Sequence, residues 1–363
     1  MEYVQEYITT LHDFGDAPPS VPSTDTTIVV PMTEGDYRGL AVENVFRTLE
    51  KIAPDRVIVP LQAASENVSV IFEWLTSFEL DCTVLWCDSP ALNAALESEG
   101  IDGARGKGRD VWLGLGLACD SEYVVVHDAD AQSYTAEHVQ KLLFPVTNGY
   151  VLSKGYYARV EHDQLYGRLF RLFYEPLIET IRQEQTAPIL RYLSAFRYAL
   201  SGEFAITGSM AENLRVHPGW GLEIGTLGDV YRLTGTDNVA QVDLGVHEHD
   251  HRSVTGPEGL ADMASQVCAA LCHVLEENGI NPAYETLPDR YQQAAESYIE
   301  SYALDATFNG LQYDRANERD QVRAYAAAIS APGKDNRLPA WEEMQLLPEN
   351  LQERADDDLR THT

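Results

Sequence analysis

The sequence predicts an α/β fold: a mostly parallel sheet covered by helices on both faces, followed by a helical C-terminal part. Three observations lead there. Short β-branched runs alternate with stretches whose apolar residues recur at helical spacing, the runs end in turn-forming or polar residues, and beyond about residue 260 the pattern is almost wholly helical.

Residues 1–25 hold Pro18, Pro19 and Pro22 among small polar residues and read as an N-terminal arm. A strand over 27–31 comes next, then a helix over 39–52 carrying Leu40, Val42, Val45, Phe46 and Leu49. Strand 56–59, helix 67–78 and strand 82–86 continue the alternation. A helix starting near residue 108, with Val111, Trp112, Leu115 and Leu117, leads into strand 123–126, which ends in His127, Asp128, Ala129 and Asp130. After it the pattern gives a helix over 135–144, an extended piece at 149–157 and a helix over 165–182. Helices over 260–278, 287–303 and 317–330 precede a polar tail. The expected division is therefore an arm at 1–25, a sheet domain at 26–258, a helical region at 259–350 and a tail at 351–363, with no internal repeat.

Composition removes several classes of function. The net charge is −31, from 57 Asp and Glu against 26 Lys and Arg, of which only 5 are Lys. Such a surface presents phosphates with a field of their own sign, so nucleic acid and anionic membranes are poor partners. Its dispersed acidity and scarce lysine point to a protein adapted to concentrated salt, where screening over about 3 Å at 1 M relieves self-repulsion. The five cysteines, Cys82, Cys87, Cys119, Cys268 and Cys272, lack C-x-x-C spacing and lie in apolar segments, as reduced thiols do. No run of 18 apolar residues occurs and the first residues carry no leader-like pattern, so the expectation is a soluble, cytoplasmic protein.

In an open α/β sheet, ligands bind beyond the carboxyl ends of the strands. The residues there are Pro31, Met32, Thr33 and Glu34 after the first strand, Gly106-Lys107-Gly108 before a helix, and Asp128-Ala129-Asp130 after the fourth strand. Paired carboxylates one residue apart offer hard oxygen ligands to Mg²⁺ or Mn²⁺ and a second contact to a ribose or metal-bound water. Lys107, flanked by glycines, can approach a diphosphate as a point charge. Farther on, His247, His249 and His251 alternate along one extended segment and share a face, where one imidazole can complete the metal site of Asp130; a separate zinc site is the competing reading, and the lack of a fourth ligand cluster counts against it.

These blocks, together with Lys154-Gly-Tyr-Tyr157, Gly167-Arg168, Leu200-Ser-Gly-Glu-Phe-Ala205, Gly219-Trp-Gly-Leu-Glu-Ile-Gly225 and Ala240-Gln-Val-Asp-Leu-Gly245, resemble the glucosyl-3-phosphoglycerate synthases over about residues 27–255, and more weakly beyond. The resemblance implies a GT-A type nucleotide-diphosphosugar transferase fold, a retaining transfer, a divalent Mg²⁺ or Mn²⁺, a nucleotide-activated glucose donor such as UDP-glucose, 3-phosphoglycerate as acceptor, and a homodimer. It assigns Asp130 and His249 to the metal. Pro31, Met32, Thr33, Glu34, Gln62, Gly106, Lys107, Asp128, Ala129 and Asp130 fall to the donor. Gly167, Arg168, Lys154, His247 and His251 fall to the acceptor, and Glu223 and Lys107 stand as the candidate catalytic residues. Two departures bear on specificity. Pro60-Leu61-Gln62-Ala63 replaces an Asp-Ser-Gly type turn, leaving the base open, and His247 and His251 replace Arg and Asn, leaving open whether the acceptor carries phosphate. A GDP-mannose-using relative, a nucleotidylyltransferase and a non-catalytic nucleotide-sugar module remain as alternatives. For individual residues, Arg168 paired with Glu175, Lys154 as a strand-edge charge, and Glu203 or Glu223 as buried structural carboxylates are the competing readings.

Overall fold

The computed structural model describes residues 6–13, 20–21, 23–101, 103, 105–248 and 257–362. Strand β1 is Thr9–Leu11, β2 Thr26–Val29 and β3 Met32–Thr33, followed by helix α1 at Leu40–Ile52. Then come β4 Arg56–Gln62, α2 Val68–Leu75, β5 Cys82–Trp86, α3 Pro90–Ser98, α4 Lys107–Ala118 and β6 Tyr123–Val126. Helix α5 at Ala136–Thr147 leads to β7 at Leu152–Ala158 and a two-residue hairpin, β8 Val160–Glu161 with β9 Gln164–Leu165. A π-wound turn at Leu169–Tyr174 runs into α6 at Glu175–Arg182, and α7 at Pro188–Leu193, β10 at Phe204–Thr207, α8 at Gly208–Asn213, α9 at Leu222–Thr234 and β11 at Val239–Val246 follow. The chain finishes in α10 Pro257–Glu277, α11 Leu287–Phe308, α12 Arg315–Ala327 and α13 Pro348–His362.

The main sheet runs β1-β11-β7-β10-β6-β2-β4, with β3 and β5 both paired to β4. Strand β10 alone is antiparallel to its neighbours, β6 and β7. Strands β2, β4 and β6 read as continuous apolar runs because helices cover both faces: Ile28, Val29, Val57, Ile58, Val59, Val124, Val125 and Val126 are fully buried. Parallel pairing puts the carboxyl ends of β2, β4 and β6 on one edge, where Thr33, Gln62 and Asp128 lie.

Several expectations are corrected. The arm supplies an edge strand: β1 pairs in parallel with β11, Thr9 opposite Ala240. The polar tail is helix α13, which buries Leu351, Ala355 and Leu359, four residues apart, against α3 and β5. Helix α3, absent from the sequence reading, is started by Ser89, whose hydroxyl accepts from Leu92 N at 3.1 Å, with Pro90 at its first position. The helix expected from residue 165 begins later, because Leu165 belongs to a hairpin strand and Gly167 takes a φ of 75°. In helix α1, Leu40 is 86% exposed and contributes nothing to the apolar face.

The C-terminal helices are not a separate layer. Helix α10 packs on α9, and α11 on α6 and α12, and one buried core extends from Ile8 to Leu359. Trp341 stacks on Trp112 of α4 with centroids 4.1 Å apart, and each indole N–H donates 2.8 Å to backbone, Trp341 to Trp112 O and Trp112 to Pro339 O. Among the described residues no helix is long and apolar enough to cross a membrane.

Candidate active site

A cleft of about 1320 Å³ opens at the carboxyl edge of the sheet and extends to α10 and α12. Pro31, Met32 and Thr33 form one wall, Gln62, Lys107, Asp128, Ala129 and Asp130 the floor, and Gly167, Arg168 and Glu223 the far side. These parts of the sequence expectation come together in one place.

Lys107 opens α4 and pairs with the Asp128 carboxylate. Gly106 sets this geometry without lining the cleft itself. Its φ is 124°, and a Cβ there would stand 2.9 Å from Pro218 O, so only glycine lets the helix start lie against the 218 loop. Gly202 serves Asp128 in the same way, since a Cβ would meet the Asp128 carboxylate at 2.5 Å.

Burial works against the charge of Lys107, yet Asp128, Glu223 and Glu203 hold its pKa above the ordinary lysine value. Asp130 is pushed up to about 7, first by burial and then by Asp128, with Lys107 opposing. Glu203, 1% exposed, is likewise raised to about 7 by burial and Asp128. Glu223 is raised by burial against the pull of Lys107 and Lys154. Four carboxylates thus share two ammonium groups in a poorly solvated space, an arrangement short of positive charge.

A divalent cation suits this donor set. Asp130 presents hard carboxylate oxygens whose ionisation burial and Asp128 oppose, and a cation is what would restore it. Among the described residues no group of three or more His, Cys, Asp or Glu is arranged to hold a metal ion. His249 and His251 lie outside the described residues.

Besides Gly106, three assigned residues do not line the cleft. The Glu34 carboxylate accepts from Ala64 N at 2.9 Å and Asn67 Nδ2 at 3.2 Å, bracing the turn, while Gly35 and Asp36 face the cleft in its stead. Lys154 sits on β7 with a strand on each side, is 3% exposed and donates to Ser201 O. Burial lowers its pKa to about 8 despite Glu223 and Glu203. It is neither an acceptor contact nor a strand-edge charge; it stands behind the carboxylates. His247 is fully buried, stacks on Tyr157 at 4.2 Å and lies 3.6 Å from Glu203, so its ring serves the sheet interior instead of the acceptor. Burial lowers its pKa to about 4.

Arg168 pairs with Glu318 of α12, its Nε donating at 2.9 Å, and not with Glu175, which accepts from Tyr302 at 2.8 Å. Glu318 is 3% exposed and also takes Arg171 Nη1 at 3.0 Å. Sequence reasoning missed Asp36, Arg159, Tyr198, Trp220 and Gln321, all on the cleft wall. Trp220 lay inside the quoted Gly-Trp-Gly block, whereas Gln321 reaches the cleft only because α12 folds back onto it.

No family model matches the chain. A protein of Methanococcoides burtonii named glucosyl-3-phosphoglycerate synthase is 34% identical, covering 94% of this chain and 93% of its own length. One of the same name from Persephonella marina is 34% identical over 85% of this chain and 81% of its own. Among solved structures, the Mycobacterium tuberculosis glucosyl-3-phosphoglycerate synthase with Mn²⁺, UDP-glucose and phosphoglyceric acid aligns with a TM-score of 0.57 at 24% identity, over 76% of this chain and 89% of that one. Its complex with Mg²⁺ and UDP aligns at 0.56 with 25% identity, over the same shares. This likeness bears out the GT-A fold.

Proposed function

The chain belongs to the glucosyl-3-phosphoglycerate synthase family, and from that premise we propose that it transfers glucose from UDP-glucose to 3-phosphoglycerate with retention, giving glucosyl-3-phosphoglycerate. The observation that carries the reading is the polarity of the cleft: carboxylates gather around Lys107 at one end and a guanidinium lines the other. A diphosphate with its cation fits the first, and an acidic acceptor the second.

The donor lies along Pro31, Met32 and Thr33, with Gln62 and Asp128 beside it. Gln62 donates to Asp110, which fixes its amide in the cleft. Asp130, and His249 outside the described residues, would hold Mg²⁺ or Mn²⁺, whose charge offsets that gathering on the departing diphosphate. Lys107 remains an ammonium at neutral pH because the surrounding carboxylates favour its charged form, so it acts as a fixed positive charge on the leaving group. Gly167 and Arg168 receive the acceptor. Glu223, on the first turn of α9, faces both substrates and orients the attacking hydroxyl. The hydroxyl attacks from the face the diphosphate leaves, and a β-phosphate oxygen takes its proton. Catalysis of this kind is positioning and electrostatics, with no protein nucleophile.

The five cysteines are free, which supports a reducing, cytoplasmic setting, and the net charge of −31 argues against nucleic acid and anionic lipid as partners. A homodimer belongs to the same reading. The test is to incubate the protein with UDP-glucose, 3-phosphoglycerate and Mg²⁺ or Mn²⁺ and to weigh the product, with GDP-mannose as the competing donor. A glucosylated phosphoglycerate is expected; faster consumption of GDP-mannose, or no transfer, would overturn the assignment.

A further inference from the structure

A buried polar chain reaches the cleft beside its carboxylate-rich end. In the order of the sheet, β4 lies two strands from β6 on one side, and β7, which leads toward the Gly167-Arg168 turn, lies two strands from it on the other. With the diphosphate at Lys107 and Asp128 and the acceptor on the β7 side, the donor's nucleoside falls to the β4 side, roughly 10 Å along the sheet. Gln62, the last residue of β4, and Asp110, three residues past Lys107 on α4, line the cleft there.

Asp110 is 3% exposed and Arg109 2%. The Arg109 guanidinium is anchored from behind, Nη1 donating to Asn93 Oδ1 and Nη2 to Cys87 O, each at 2.8 Å. Its Nε and Nη2 also reach one carboxylate oxygen of Asp110, at 3.4 and 3.3 Å. The other oxygen takes the Gln62 amide N–H. Burial pushes Asp110 up to about 6 and Arg109 opposes it, so at neutral pH the ionised form prevails, which is an acceptor only. That carboxylate keeps the amide from turning over, because Oε1 would then meet a second acceptor. Gln62 is fixed with its nitrogen toward Asp110, and Oε1 is left to a ligand. A buried acid is a poor way to pack a helix on a strand, and Arg109 is already anchored without it. What Asp110 adds is the orientation of an amide on the cleft floor.

We infer that Arg109 and Asp110 are positioning residues for the choice of base: they hold Gln62 so that its Oε1 accepts from a ring N–H of the donor's base. Uracil and guanine carry a hydrogen on the ring nitrogen of their pairing edge, whereas cytosine and adenine carry a lone pair at that place. An acceptor that cannot turn rejects the second kind, since two lone pairs then face each other and the amide oxygen loses its bond. The inference rests on the donor site proposed above and goes beyond it in stating what the base must offer.

The experiment is calorimetric titration of the full chain, in Mn²⁺, with UDP against CDP and with GDP against ADP, two pairs matched in size. The unaltered protein is expected to bind UDP about tenfold or more tightly than CDP, and GDP likewise over ADP, the effect of one hydrogen bond made or left unmade. Gln62→Met removes the acceptor at similar volume, and Asp110→Asn frees the amide to turn. Both variants should narrow each ratio to within about threefold, Asp110→Asn by tightening CDP and ADP as well as by weakening UDP and GDP. A merely structural role would weaken all four nucleotides together and leave the ratios as they were. Equal binding within either pair by the unaltered protein overturns the inference, as does an unchanged ratio in either folded variant; should one variant not fold, the other decides. The expected base preference without glucose transfer would count against the proposed reaction alone.

Discussion

Two partly buried charge clusters face each other across the cleft, and they are unbalanced in opposite senses. At the sheet edge Asp128, Asp130, Glu203 and Glu223 surround Lys107 and Lys154, leaving carboxylate in excess. Against α12, Arg168 and Arg171 share the single carboxylate of Glu318, leaving guanidinium in excess. A buried ion pair that only holds a fold would be expected to balance, because an uncompensated charge in a poorly solvated place is costly. In the function proposed above, the excess at each end is met by the ligand: a cation with a diphosphate at one, an acid at the other.

The contrast can be broken most forcefully at the sheet edge. Asp130→Asn and His249→Ala should each lower transfer by at least about 100-fold in a steady-state assay, since fixed charge at the leaving group is the main catalytic term. The melting temperature of Asp130→Asn should stay level or rise, as one of several crowded carboxylates is removed. Glu318→Ala should do the reverse. Stripping the shared carboxylate from Arg168 and Arg171 should cost roughly 3 kcal/mol, toward the lower end of the range for broken buried pairs because Arg168 is 34% exposed. Denaturant titration checks it, and a loss of stability in both variants, or in neither, would remove the contrast.

A smaller effect concerns His127, His138 and His247, which burial keeps neutral, with pKa values lowered to about 3, 4 and 4. Groups depressed in the folded state bind more protons when unfolded, so their contribution is intact above about pH 6.5 and is lost as pH falls toward 4. His138 also accepts from Thr135 N at 3.1 Å at the start of α5, a capping task glutamine can perform. His138→Gln should therefore flatten the fall in melting temperature between pH 6.5 and 4; an unchanged slope would exclude it. Least in size, and spread over the surface, is salt. With a net charge of −31, melting should rise from low salt to molar KCl, and no rise would remove the halophilic reading.

Much of the sheet was legible because each of its central strands is a short apolar run ending in a turn, and periodicity within a dozen residues reports that directly. Strand β1 was not, since three residues at Thr9–Leu11 become a strand only by pairing with Ala240, Gln241 and Val242 far along the chain. Helix α13 was legible in principle from Leu351, Ala355 and Leu359, but the surrounding charges masked that narrow stripe. Within the site, Asp128-Ala129-Asp130 and Gly106-Lys107-Gly108 announced themselves because their chemistry is local to one strand end or helix start. Gly106, Glu34 and Lys154, read from the sequence as ligand contacts, stand behind the cleft and support it. Arg159, Glu318 and Gln321 carried no signal, because nothing near them in sequence shows that α12 returns to the cleft.

The central claim, that the carboxylate-rich end awaits a cation bearing the donor, is tested most directly by titrating UDP-glucose calorimetrically with EDTA and with Mn²⁺, in the wild type and in Asp130→Asn. The expected result is at least about tenfold tighter binding with Mn²⁺ in the wild type and little or no gain in the variant. An equal Mn²⁺ gain in both proteins, or none in the wild type, would contradict it.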